Sequence, residues 1–268
     1  MLRAISPVQP FYQGGFELKQ EKFLITAITL MGLISTIAFA LEPGFEYKIP
    51  KIGNPPTIDG VLSDAIWSQV SSVKINHLND ATGTLVEATR VSTAMAAYDD
   101  TYLYIAIDNG EPNPGQITTT SPGRDQDVWM DDENELFIDA QADGAAPYYH
   151  IMINAKNVVQ DDDNGGAEGA WESNVESATK IGANNWVVEA RIPLETLGVV
   201  GSLAGETWGW NFNRHIVSGV DLWTAWSTTG AGFHTPDRFG ALIFGEAITA
   251  VDSKGKLSTV WGRLKAQR

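Results

Sequence analysis

The sequence predicts an all-β protein: an antiparallel β-sandwich with a few short helical turns and a C-terminal amphipathic helix. Three observations lead there. Short apolar runs recur between turn signals of Gly, Pro, Asn and Asp, as in sandwiches. Several runs alternate with a period of two. The chain has 268 residues, 43% of them hydrophobic, with 26 Gly and 9 Trp, which is enough for one large core.

The elements follow in order. TIDGVLSDAIWSQV reads as a strand edge, a turn at Asp59-Gly60, and a helical turn with Ile66, Trp67 and Val70 on one side. ATRVSTAMAAYDD and TYLYIAIDNG are two strands joined at Asp99-Asp100. In the second, apolar or aromatic residues occupy both faces, which predicts a central strand. Glu111 to Arg124 is polar and Pro-containing, an exposed loop. ELFIDA and PYYHIMINA are the next strands. NVVQDDDNGGAEGAWES reads as a loop or hairpin with an acidic tip. NWVVEARIPLETLG is a strand that stops where Pro193 removes a donor. TWGWNFNRHI, DLWTAWST and the closing GAGFHTPDRFGALIFGE complete the sandwich, residues 57–246.

The two ends differ in character. Phe23 to Ala40 is an uncharged apolar run preceded by Lys19 and Lys22, and it ends in Ala38-Phe39-Ala40. Residues 1–40 are therefore expected to be a signal peptide and the protein to be exported, to periplasm, cell surface or medium. An uncleaved anchor is the other reading of the same run. Residues 41–56 are a lead-in linker. Residues 247–268 form a basic appendage in which Leu257, Val260, Trp261 and Leu264 fall on one helical face. Such a tail suits a partner groove or an anionic envelope surface.

Charge and composition exclude several functions. The formal net charge is −15, which repels nucleic acid and anionic lipid and suits neutral ligands or divalent cations. With no cysteine there is no disulfide, thiolate chemistry or Cys-based metal site. The four histidines lack metalloprotease spacing, and no nucleophile elbow or phosphate-binding loop is present. No catalytic constellation is expected.

The stretch DQDVWMDDENELFIDA holds seven acids in sixteen residues and one Trp, Trp129. In a strand over ENELFIDA, Leu136 and Ile138 face the core, and Glu135 and Phe137 face the other way. A carboxylate there accepts hydrogen bonds, and a sugar hydroxyl supplies one. A solvated or arginine-paired Glu135 fits the same pattern. Trp129 fits equally as a hydrophobic plug or as a platform for the apolar face of a pyranose. Asp161 to Gly166, DDDNGG, offers alternate oxygens and a Gly turn, a candidate calcium loop through Asp161 and Asp163 or a plain charged tip.

These segments carry a resemblance. IDGVLSDAIW, YDDTYLYIAI, VWMDDENELFIDA, VVEARIPLETL, WGWNFNR and PDRFGALIF stand in the order and spacing of a family 9 carbohydrate-binding module, from about Thr57 to Phe244. The resemblance implies a non-catalytic β-sandwich of the kind attached to xylanases, binding oligo- or polysaccharide of the xylan or glucan class and holding structural calcium. Residue by residue, it implies Trp129 and Phe233 as the two aromatic walls, Glu135 as the acceptor of sugar hydroxyls, and Asn213 as a nearby polar ligand. The other acids of the stretch would bind calcium or solvent. The family's sugar-binding arginine falls on Met152, which cannot donate, and His150 and Arg214 are the candidate replacements. The similar DOMON-type sandwiches imply an alternative, a b-type haem electron carrier with Met130 and Met152 as candidate axial ligands and a His or Lys opposite. A third reading is a structural module that no longer binds sugar.

Overall fold

A computed structural model describes residues 41–80, 82–164, 171–230 and 232–248. The expected signal peptide and the basic C-terminal helix lie outside the described residues. No helix among the described residues is long and apolar enough to cross a membrane.

Among the described residues, thirteen strands build the fold: β1 (Glu46–Lys51), β2 (Ser72–Ile75), β3 (His77–Leu78), β4 (Ser92–Tyr98), β5 (Tyr102–Gly110), β6 (Glu133–Asp139), β7 (Tyr148–Asn154), β8 (Val159–Asn164), β9 (Glu176–Ile181), β10 (Asn185–Pro193), β11 (Thr207–Ile216), β12 (Leu222–Ala225) and β13 (Gly240–Ala247). Helical structure is confined to short 3-10 turns among the described residues, including Ala65–Ser68 and Val128–Met130. The order β8-β7-β6-β11-β13-β1-β4-β5-β10-β9 is one hydrogen-bonded path that curls into two facing halves, with β1 at the fold. Pairing is antiparallel except at β1, which runs parallel to β13 and meets β4 at Lys51.

The lead-in expected to be a linker thus contains the strand that joins the two halves. Tyr47 secures it: its hydroxyl donates to Ser71 O (2.6 Å) and accepts from Ala96 N (2.9 Å). β13 can approach closely because residue 240 is Gly. A Cβ there would stand 2.7 Å from the Trp226 ring and 2.8 Å from Phe45 O, closer than packed atoms tolerate.

Alternation decides what is inside. Ile105 and Ile107 of β5 and Trp186, Val188 and Ile192 of β10 meet Leu136 and Ile138 of β6 and Trp210 and Phe212 of β11 in one core. β5 lies between β4 and β10 and is covered on both faces, as its sequence predicts. Its turn forms because Asp99 Oδ1 accepts from Thr101 N (2.7 Å) and Tyr102 N (2.8 Å), an Asx turn. The region called a strand edge before Asp59-Gly60 has no strand. It is held by Glu189, whose carboxylate accepts from the backbone of Asp59, Gly60 and Val61 and from Trp67 Nε1 (2.7 Å). The acidic segment expected as a loop or hairpin tip begins as strand β8, paired with β7.

Candidate functional site

The face of β6 and β7 turned away from the core carries Glu133, Glu135 and Phe137 opposite Asn154, Met152 and His150. β8 adds Gln160 and Asp162, which point the same way. β12 and the loop after it add Trp223, Phe233 and His234, and the Val128–Met130 turn adds Trp129. All of these except the fully buried Glu133, Phe137 and Asn154 line, with Asn79, an open cavity of about 440 Å³, within the size range of small-ligand sites.

Trp129 is 46% exposed and lines the cavity, so it is not a buried plug. Phe233 lines the cavity but is only 5% exposed. It packs edge-on against Phe137 and Trp223. The more open aromatic on that side is Trp223, which the sequence reading passed over. The period of two in DLWTAWST would have found it: Trp226 is core, so Trp223 faces outward.

Glu135 and His150 form the floor, with Nε2 to Oε2 at 2.6 Å. His150 Nδ1 lies 3.5 Å from Asp162 Oδ2, an ion-pair distance too long for a full hydrogen bond. The ring stacks on Phe137 at 4.1 Å. Burial pulls the imidazolium down, but the Asp162 and Glu135 carboxylates outweigh it and hold the group up to about 9. Beneath it, burial, then the charge of Glu135, then a hydrogen bond with Glu135 keep Glu133 well above the usual carboxylate range. His234, bonded through Nδ1 to Tyr148 Oη (2.8 Å), is lowered by burial and then by the charge of His150.

Met152 is buried and forms part of the lining where the resemblance expects an arginine. Asn213 stands opposite Glu135 on β11. It is fully buried with both amide atoms unpaired and does not reach the cavity surface. Arg214 does not replace the missing arginine. Strand alternation turns it into the opposite face, where it bonds Arg90 O, Gly110 O (2.8 Å) and Glu111 (3.2 Å). Burial lowers that guanidinium to about 10. Met130 is half exposed and outside the lining, whereas Met152 lines the cavity with His150 and His234.

Two of the acids beside Trp129, Asp131 and Asp132, spend their carboxylates on nearby donors within the protein. Asp131 accepts from Thr120 N and Oγ1, Ser121 N and Asn154 Nδ2. Asp132 accepts from Thr118, Val217 and Ser218 N. Both are buried and are used to pin loops.

Asp161 and Asp163 share one face of β8, and among the described residues only Asp161 joins an acidic group, with Asp125 and Glu172, whose oxygens lie within 4.8 Å of one another. The donors are all oxygen, as calcium requires. Asp161 keeps one buried oxygen without a partner. The Arg124 guanidinium already reaches all three, at 3.3 Å from Asp125 and 2.7 Å from Asp161 and Glu172. The group fits an ion only if Arg124 leaves, and among the described residues Asp163 is not part of it.

An aromatic-lined cavity with a charged floor, set on one sheet of a β-sandwich, defines a ligand-binding module. Residues 58–247 match the carbohydrate family 9 binding domain-like family, and the chain belongs to it. No curated protein matches. Among solved structures, the chain is similar to a family 9 module from Caldicellulosiruptor kristjanssonii in complex with cellotriose (22% identity, TM-score 0.56, 76% of this chain and 97% of that one). It is similar to one from the same organism in complex with glucose (19%, 0.57, 77% and 99%), and to a protein from Bacteroides uniformis (18%, 0.60, 75% and 99%).

Proposed function

We propose that this chain is an exported, non-catalytic module that binds neutral glycan of the xylan or glucan class in the Trp129 cavity. The observation that carries it is the joint placement of Trp129, Trp223 and Phe233 around Glu135, His150 and Asp162. Apolar C–H faces of a sugar ring pack on the indoles, and hydroxyls donate to the carboxylates. The donor that Met152 lacks is supplied by amides. Gln160 Oε1 is taken by Val128 N and Asn79 Oδ1 by Thr229 Oγ1, which leaves their nitrogens for sugar oxygens. The family relatives crystallised with cellotriose and glucose support this ligand class. Export rests on the apolar run ending at Ala40. A structural calcium ion is a separate proposal, seated among Asp125, Asp161 and Glu172 with Arg124 displaced.

Titration with a panel of cello- and xylo-oligosaccharides, followed by Trp fluorescence and heat, tests the binding. Binding is expected, and Trp129→Ala is expected to weaken it by at least about tenfold, roughly 1.4 kcal/mol. Removing a half-exposed ring leaves stability nearly intact, whereas the fully buried Trp210 would cost about 3–5 kcal/mol. Silence across the panel at millimolar sugar, or unchanged affinity in Trp129→Ala, rejects the proposal.

A further inference from the structure

His215 lies on β11 beside the cavity but not in its lining. It is buried, and every polar atom of its side chain is engaged. Its ring stacks on Trp223 at 3.6 Å and 10°. Nδ1 donates to the backbone carbonyl of Trp129 (2.8 Å), and Nε2 sits 2.9 Å from Asp221 Oδ1. Its backbone N–H donates to Glu133 Oε1 (3.1 Å). One ring therefore holds the main chain under one indole of the cavity and the face of the other.

We propose that His215 is a positioning residue that fixes the two indoles relative to each other before a sugar arrives. This rests on the carbohydrate reading and adds what sets the geometry of the site. Both indoles sit on slight supports. Trp129 is on a three-residue 3-10 turn entered through Asp127 in the left-handed region (φ 52°). Trp223 is on a four-residue strand whose second partner, β3, has two residues. β11 is ten residues long and paired on both sides, so it is the rigid reference. Aromatic walls that must be ordered on binding lose affinity to that ordering, and walls held in place beforehand do not. Asp221, with its side chain 81% exposed, reaches the cavity only through His215 and orients its ring from the rim.

The test uses the full chain and cellotriose. His215→Phe keeps a flat ring against Trp223 and loses both nitrogen contacts. His215→Asn restores a donor toward the Trp129 carbonyl. Asp221→Asn weakens the rim contact without touching the core. Expected are an affinity loss of about tenfold in His215→Phe, partial recovery in His215→Asn, and a loss of about twofold or more in Asp221→Asn at unchanged melting temperature. Acrylamide quenching of the Trp129 emission, obtained by difference from Trp129→Phe, is expected to rise in His215→Phe. In a Trp129→Ala background the His215→Phe effect should largely disappear, since coupled residues are not additive. Affinity within about twofold of wild type in both His215→Phe and Asp221→Asn, or full additivity with Trp129→Ala, overturns the positioning role while sugar binding stands. If the wild type binds no sugar, the carbohydrate reading fails, and unchanged Trp129 quenching in His215→Phe overturns the positioning role independently. Should His215→Phe not fold, His215→Asn and Asp221→Asn decide by the same readouts.

Discussion

His150 carries a charge that the fold itself sustains, and this makes stability depend on pH in one direction. Its folded value, about 9, stands above the ordinary 6.5. A group raised by folding contributes its full stabilisation below the unfolded value and loses it as pH climbs through the folded one. The window is therefore pH 6.5 to 9, and the ceiling is about 3 kcal/mol for one fully buried group. Glu133, also raised, acts with the same sign from the carboxylate range upward. The melting temperature is expected to fall by several degrees between pH 6.5 and 9.5, and His150→Gln should flatten that slope. A flat wild-type profile would mean that Glu135 and Asp162 do not hold the imidazolium. The residues of the floor differ in how readable they were. Glu135, Phe137 and Trp129 follow from period-two alternation and from an aromatic beside acids. Arg214 was misread because the residue after Asn213 necessarily faces the opposite side of β11, a fact that alternation alone supplies. Asp162, His234 and Trp223 come to the site from segments distant in sequence, which no local pattern connects.

β8 shows why one element escaped notice. Three successive Asp and an Asn have low strand propensity, so composition predicts a loop. Pairing with β7 overrides this, and alternation then sends Gln160 and Asp162 to the cavity and Asp161 to Arg124. β9 was missed because ESATKI lacks an apolar alternation, being an outer strand on β10 with largely exposed side chains. β1 was missed because its Pro and charged residues read as a linker, although it pairs with β13 and β4. The long strands were legible throughout, since their apolar faces are what the core selects. The Asp161 group has two possible counter-charges, Arg124 or a calcium ion. An ion that binds only the folded state stabilises it by about 2.7 kcal/mol at a hundredfold excess over its dissociation constant. EDTA is expected to lower the melting temperature by several degrees. Calcium should restore it and magnesium only poorly, because magnesium demands a stricter octahedron. Asp161→Asn should remove the response and Asp163→Asn should not. An EDTA-insensitive wild type would leave Arg124 as the counter-charge and the ion would be dropped.

Across the molecule, the sandwich closes before the basic tail begins. β13 ends at Ala247, and Ile248 N donates to Lys51 O (2.9 Å), returning to the strand that joins the two halves. The core draws nothing from beyond Phe244 among the described residues. Residues 252–268 hold five basic residues and one acid, so removing them takes the net charge from −15 to −19. Their chemistry differs from that of the domain they follow: a cationic, amphipathic segment on a strongly acidic body. Each basic residue near an anionic bilayer is worth about 1 kcal/mol, screened beyond a Debye length of about 8 Å at physiological salt. Deletion of 252–268 is expected to leave the melting temperature within about a degree of the parent and the cellotriose affinity unchanged. Co-sedimentation with anionic vesicles should fall on deletion, and high salt should abolish it in the parent. Equal sedimentation of parent and deletion would reject a surface role for the tail. A melting temperature lowered by several degrees would make the tail part of the sandwich, with its basic face docked on the protein's own acidic surface, and the idea of an external partner would then be abandoned.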